Sequence, residues 1–435
     1  MNLATELEQR QREKRIIRVG LVGVGQMGAG MIAQIHLMRG MDVVAAADID
    51  VRRAVGAFRS IGVAEDDIVV LDERANVHDA NTAIAAGKRV VTTRATRIPE
   101  MDVDAVVEAT GMPSIGALVA FRTILAKRHI IMLNVETDVT VGYLLKSMAE
   151  AANVIYTTSA GDEPGALLEL YDFATSLGFE VVVAGKGKNN PLNRSATPTQ
   201  LAEQARQQEM SPKMLASFVD GTKTMVEMTA VANATGLVPD ISGMHGPRAT
   251  PDTLAQIFCP REDGGILHKR GVVDYALGDI APGVFLIFTT TQPKIIKDLQ
   301  YLRLGPGPYW ALYRPYHLAN IETPLSVALA VLHHQATLVP KGPPVAETTT
   351  VAKRDLQPGE VLDGLGGTMV HGNIELADVA RTEGMLPLGL SERARVKRAV
   401  ARGQTLMYDD VELDEQSFIV YARRIQDMLV REETM

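Results

Sequence analysis

Apolar residues in the first third of the chain fall into short runs divided by stretches of helical period. Ile16 to Val22 is one such run, rich in β-branched residues, and it predicts a buried strand. GVGQMG follows at once. From Gln26 onward Met27, Met31, Ile35 and Met38 recur at helical spacing, so a helix opens on the glycine turn. VVAAAD, Val43 to Asp48, is a second apolar run, and the three segments together make one βαβ unit. RVVT at Arg89 to Thr92 and AVVE at Ala105 to Glu108 continue the series. ATGMPSIGALVAFRTILAKRH then reads as a turn and helix, and IIMLNVETD as a strand ending in polar residues. Alternation of this kind predicts a doubly wound parallel sheet of the Rossmann type. The polar segment LATELEQRQREKR, ahead of the first run, predicts a surface helix.

The texture changes near Ala160. GDEPGALLELYDFATSLG has an apolar helical face, while FEVVVAGKGKNN and GVFLIFTTT read as strands, which together suggest an α+β substrate or catalytic domain. VPKGPP, Val339 to Pro344, marks a boundary. Beyond it VAKRDLQPGEVLDG and VKRAVARGQTLMYDDV share an order of basic, apolar, glycine-turn and acidic positions, which suggests a small, mostly β module with a pseudo-repeat. The expected fold class is therefore α/β in three domains: residues 1–159, 160–338 and 345–435.

Composition narrows the function. A formal charge of −8 argues against nucleic acid as a partner and leaves a small-molecule substrate. The single cysteine, Cys259, excludes an internal disulfide framework and fits a reducing compartment. No apolar run approaches the roughly 18 residues of a membrane helix, so the expectation is a cytoplasmic protein without a membrane partner. Dimerisation is common among enzymes built on such sheets.

Each glycine of GVGQMG has its own task. Gly23 permits the tight turn, Gly25 lets the backbone approach a pyrophosphate, and Gly28 allows close packing of helix on sheet. The amides of Gln26 and Met27 then open the helix toward the phosphates. Asp48, about 20 residues beyond Gly28, is suited to a ribose hydroxyl and so to NAD; Arg52 and Arg53 just after it suit the 2′-phosphate of NADP. Thr110, Gly111, Asn134, Glu136 and Asp138 fall at strand ends, where cofactor and substrate should meet.

Hydride transfer at a carbon bearing oxygen also needs a group that gives or takes the proton. Lys186, Lys188 and Asn189 in GKGKNN are the first candidates, because a desolvated lysine can titrate near neutrality. His245 is a candidate proton shuttle, and Arg248 could capture a phosphate or carboxylate. Lys223 and Glu227 stand one helical turn apart, ordinarily a surface couple. YRPYHLANIETP reads as packing, and Lys353, Arg354 and Asp355 as a solvated turn. No strong metal signature is present: His333 and His334 are adjacent and point apart, while Glu136 and Asp138, read as one side of a strand end, could hold a divalent cation with substrate oxygens.

GVGQMG with VEATG, LNVETD and GKGKNN resembles the homoserine-dehydrogenase-like superfamily. With DGTKTMVEM, GMHGPRATPD and KRDLQPGEVLDG added, the chain is similar to the deoxyxylulose-phosphate-reductoisomerase-like proteins (DRL), which carry a C-terminal SAF-type domain. The resemblance implies NADPH-dependent conversion of 1-deoxy-D-xylulose 5-phosphate to 2-C-methyl-D-erythritol 4-phosphate, a step of isoprenoid precursor synthesis. It gives Lys186 and Lys188 the substrate oxygens, and Arg248 with Lys223 the phosphate. Other readings stay open: a dehydrogenase or oxidoisomerase of another polyol, hydroxy-aldehyde or sugar acid, using NAD or NADP, and a nucleotide-sensing protein without turnover.

Overall fold

A computed structural model of the chain describes residues 2–72 and 76–434. Its compact units do not follow the linear order. One comprises Met1–Asp162, Leu318–Val339 and Ser417–Met435; the other comprises Glu163–His317 and Pro340–Gln416.

The first unit opens with α1 (Leu3–Arg12), a polar helix that buries Leu7. β1 (Ile17–Val22), α2 (Gln26–Leu37) and β2 (Met41–Ala47) then form the expected βαβ unit. α3 (Val51–Ser60), β3 (Ile68–Val70), α4 (Val77–Ala85), β4 (Arg89–Thr92), β5 (Ala105–Glu108), α5 (Pro113–Leu125), β6 (His129–Met132), α6 (Val135–Ala151) and β7 (Tyr156–Thr158) complete it. The strands make one seven-stranded sheet in the order β3-β4-β2-β1-β5-β6-β7, and every pairing in it is parallel. Both faces are covered, which is why the strands read as apolar runs rather than alternating ones.

Two segments return to this unit from far along the chain. The helix Ala319–Ala328 packs on α2 so closely that a Cβ on Gly30 would stand 2.3 Å from the Asn320 amide nitrogen. The C-terminal helix Phe418–Thr434 sends Gln426 onto α6, where its side chain accepts from Leu144 N at 3.1 Å and donates to Thr140 O at 3.1 Å. Local pattern gives such helices an apolar face but does not say which core it covers.

The second unit holds α7 (Glu163–Ser176), β8 (Glu180–Lys188), α8 (Ala202–Gln207), α9 (Pro212–Val219), α10 (Thr222–Thr235), β9 (Val238–Pro239), β10 (Arg248–Ala249), β11 (Val272–Gly278), β12 (Val284–Thr289) and β13 (Tyr309–Arg314). The sheet runs β10-β11-β8-β12-β13, with β9 also on β11; β8 is parallel to β11 and antiparallel to β12. α7 and α10 cover one face through a core that includes Leu167, Met225, Met228 and Leu286.

The tail contributes β14 (Ala346–Ala352), β15 (Val370–Leu376), β16 (Arg395–Val396) and β17 (Val411–Glu412), in two antiparallel pairs. The two similar stretches pair with each other through bridges at Leu356 and Val400 and at Val351 and Thr405. Gly372 N donates to Thr222 Oγ1 at 2.8 Å, and Asn233 Oδ1 accepts from Val345 N and Ala346 N at 2.9 and 3.0 Å, so β14 and β15 extend the core around α10. Among the described residues no helix is long and apolar enough to cross a membrane.

Candidate functional site

The glycine turn follows β1. Gly23 sits at φ +93°, and a Cβ there would lie 2.7 Å from Ala109 O; one on Gly28 would lie 2.0 Å from Gly23 O. Gly25 differs from both. It caps α2 at φ −75° and ψ −160°, a conformation any residue adopts, and nothing lies within 4 Å of the Cβ position. The fold needs the first two glycines, whereas the opening over Gly25 is a cradle that a side chain would fill. Gln26 and Met27 beside it are exposed, and no acidic residue occupies the first turn of α2 to neutralise its positive end. Asp48, half-buried at the end of β2, accepts from Val24 N at 2.8 Å and Asp50 N at 2.9 Å, which fixes the turn and holds the carboxylate in place. Arg52 is clamped by Asp50 at 2.8 Å, and Arg53 is exposed. These residues fit a dinucleotide.

At the next strand ends the outcome differs from the sequence reading. Thr110 N donates to Glu108 Oε1 at 2.9 Å, and its hydroxyl bonds the same oxygen; Gly111 turns at φ +67°. Asn134 is buried and spent on structure: it caps α6 by accepting from Thr137 N at 3.2 Å and donates to Met112 O at 3.1 Å. Glu136 and Asp138 are not on a strand, because β6 stops at Met132 and both occupy the first turn of α6. Two positions on a helix differ by about 200°, so the pair does not converge on one cation. Asp138 instead takes the Tyr156 hydroxyl at 2.9 Å, and burial raises its carboxyl to about 7. Glu108 is likewise pushed up to about 7 by burial, against the Thr110 bonds, and no chemical signal in VEATG announced it.

In the second unit Lys186 and Lys188 end β8, and residues two apart on a strand share a face. Glycine between them is required, since a Cβ on Gly187 would meet Ala281 N at 2.3 Å. The Lys186 ammonium is buried between Glu163 of α7, at 2.5 Å, and Glu227 of α10, to which it makes a short bond. Lys223, one turn before Glu227, lies 3.8 Å from it, and His317 Nε2 lies 3.5 Å from Glu163. The Lys223 and Glu227 couple is therefore part of a buried ionic centre, not a surface pair.

Electrostatics separates the two lysines. Burial opposes charge on Lys186, but the Glu163 and Glu227 carboxylates outweigh it and hold the ammonium well above its usual range. The expected lowering is overturned at this residue. Glu227 is raised to about 6, first by burial and then by the Glu163 charge. Lys188 is lowered to about 8 by burial and then by the Lys186 and Arg194 charges, and it donates to Asn190 O and Phe218 O at 2.7 Å each. The two carboxylates thus hold Lys186 as a cation, while burial draws Lys188 toward its neutral form. Asn189 beside them is exposed.

Several residues of this centre carried no sequence signal. Arg194 donates to Asp220 O and Gly372 O at 3.2 Å each, and Asp220 pairs with Lys353 at 2.7 Å. Lys353 is 5% exposed, so its reading as a solvated turn is corrected. Burial pushes His371 down to about 4. Arg248 is exposed on β10, and His245 is held by Asp274 at 2.8 Å and faces Asp240 at 3.4 Å.

Residues 161–323, which include the Lys186 centre, match the family model for the catalytic domain of oxidoreductase DRL. No curated protein matches the chain. Among solved structures the chain is similar to a probable dehydrogenase from Thermotoga maritima, at 13% identity over 62% of this chain and 72% of that one, with a TM-score of 0.38. It is similar to scyllo-inositol dehydrogenase from Lactobacillus casei with NAD(H) and scyllo-inositol, at 13% identity over 63% and 74%, with a TM-score of 0.36. It is also similar to 1-deoxy-D-xylulose 5-phosphate reductoisomerase from Zymomonas mobilis with NADPH, at 15% identity over 49% and 57%, with a TM-score of 0.34. With that catalytic-domain match over the lysine centre and a complete glycine turn after β1, the chain is an NAD(P)-dependent oxidoreductase.

Proposed function

We propose that this oxidoreductase interconverts hydroxyl and carbonyl carbons of a small polyhydroxylated substrate, with 1-deoxy-D-xylulose 5-phosphate, the substrate of the resemblance, as the leading case. The observation that carries this reading is the contrast between Lys186, fixed as a cation by Glu163 and Glu227, and Lys188, lowered to about 8. A carbonyl that gains hydride becomes negative at oxygen, and it needs a permanent positive group and a proton donor there. Lys186 supplies the first and Lys188 the second. The nicotinamide ring supplies the hydride when the coenzyme is bound. Gly25, Gln26 and Met27 receive its pyrophosphate, and Asp48 its adenosine ribose, with Thr110 and Gly111 alongside.

The test is oxidation of NADPH or NADH by the full chain in the presence of deoxyxylulose phosphate, with Lys188→Ala as control. Turnover well above that control supports the reading, and equal rates sink it. The pH profile adds a sign. Protonated Lys188 is the donor for reduction, so kcat/KM for reduction should hold below pH 8 and fall above it, and the oxidation direction should show the opposite limb. A Lys188→Arg variant should lose that limb.

Asp48 bears on coenzyme choice. Its fixed carboxylate opposes a 2′-phosphate, while NADPH is the coenzyme of the resemblance and Arg53 the residue that would favour it. Asp48→Asn keeps the acceptor for Val24 N but removes the charge. The ratio of kcat/KM with NADPH to that with NADH should rise about tenfold, ~1.4 kcal/mol. An unchanged ratio would remove Asp48 from the ribose site.

A second reading, an unphosphorylated polyol or sugar acid, has its own support. Arg248 is exposed and Lys223 is engaged with Glu227, so neither behaves as a dedicated phosphate clamp. Turnover of an uncharged polyol that survives Arg248→Ala would favour it.

A further inference from the structure

We propose that Asp240, His245 and His268 bind a divalent first-row transition ion, Zn2+ foremost, with Asp274 behind His245. The residues come from three places in one unit. Asp240 directly follows β9, His245 lies in the loop leading to β10, and His268 lies in the segment before β11. Each offers one ligand atom, and these atoms lie within 4.8 Å of one another. His268 Nδ1 is 3.0 Å and His245 Nε2 is 3.4 Å from Asp240 Oδ2. Donors about 2.0–2.1 Å from a tetrahedral zinc stand about 3.3 Å apart, and both distances to Asp240 are close to that.

The support behind the ligands is already built. Asp274 lies on β11 with its side chain fully buried. Its carboxylate accepts from His245 N at 3.1 and 3.2 Å, Gly246 N at 3.0 Å and Tyr275 N at 2.8 Å, and His245 Nδ1 lies 2.8 Å from it. A ring that donates from Nδ1 to a fixed carboxylate presents the bare lone pair of Nε2, the arrangement that orients histidine ligands toward metals. With Nδ1 as the donor, Nε2 faces the Asp240 carboxylate, whose Oδ2 accepts from His268 N at 2.8 Å and lies 3.0 Å from His268 Nδ1. Both His245 Nε2 and Asp240 Oδ1 are buried without a hydrogen-bond partner, and the Asp240 side chain is 0% exposed. A cation between them satisfies both.

Donor chemistry decides the ion. Two imidazoles and a carboxylate suit zinc and its first-row neighbours, whereas Mg2+ and Ca2+ take oxygen ligands. Asp240 and Asp274 both stand against His245, so two carboxylates face the place where an ion would sit. Three protein donors leave a fourth position, and the His268 side chain, 47% exposed, places it toward solvent.

The full-length protein, stripped with a chelator, is titrated with Zn2+ by calorimetry and with Co2+ by visible absorption. One ion per chain with the strong band of four-coordinate cobalt is expected, and excess Mg2+ should not displace it. His268→Ala removes an exposed ligand, so the fold, followed by circular dichroism, should persist while affinity falls at least tenfold. Asp274→Asn should weaken binding roughly 10–100-fold. Stoichiometric binding unchanged by His268→Ala, or no binding by the native chain, overturns the proposal. The readout is ion binding, so it stands apart from whether any substrate turns over.

Discussion

Gly25→Val should abolish dinucleotide binding while leaving the protein folded. The position has ordinary φ and ψ and open space around its Cβ, so the fold sets no steric bar to a side chain. Replacing glycine at a helix cap with a residue that cannot cap costs about 1 kcal/mol or less. The same side chain would occupy the place where backbone and pyrophosphate approach, and affinity should fall about a hundredfold or more, ~2.7 kcal/mol. Calorimetry with NADH and NADPH reads the binding, and a thermal melt reads the fold. Gly28→Val is the contrast, because its Cβ would stand 2.0 Å from Gly23 O and the helix must leave the sheet. Undiminished coenzyme affinity in a folded Gly25→Val protein would remove the pyrophosphate from this turn, and with it the function proposed above.

Lys186→Met is expected to cost both activity and stability, for separable reasons. It leaves Glu163 and Glu227 buried beside each other with the Lys186 charge gone, and breaking such a buried pair typically costs about 3–5 kcal/mol. Losing a fixed cation at a developing oxyanion costs roughly 10²–10³ in kcat. The double variant Lys186→Met with Glu227→Gln should regain most of the melting temperature, because one stranded carboxylate is now neutral. It should not regain turnover. Recovery of both together would make Lys186 a structural ion and nothing more.

Much of the first unit was legible from local pattern. Strands buried on both faces appear as apolar runs, the glycine turn announces itself by residue type, and Asp48 follows at a fixed interval because β2 has a fixed length. What failed there was the junction after β6. IIMLNVETD contains a strand, a cap and a helix start, and Asn134 as a cap and the two acids beyond it are ordinary helix-opening residues that polar character alone had made into a cation site.

The lysine strand was also legible, since two lysines separated by glycine at the end of an apolar run are unusual. Their partners were not. Glu163 and Glu227 are 23 and 41 residues from Lys186, and each lies on a helix where it reads as an ordinary charge. Lys353 and Asp220 meet from positions farther apart still.

Sequence by itself thus determined the parallel sheet, the glycine turn after β1 and the strand that carries Lys186 and Lys188, because each depends on residues within a few turns or one crossover of each other. Tertiary structure alone decided that Ala319–Ala328 and Phe418–Thr434 return to the first unit, that Lys186 stays charged while Lys188 titrates near 8, and that Asp240, His245 and His268 converge. The physical reason is common to all three. Burial and charge at a residue are set by whatever the fold brings against it, and those neighbours arrive from distances along the chain over which no periodicity extends.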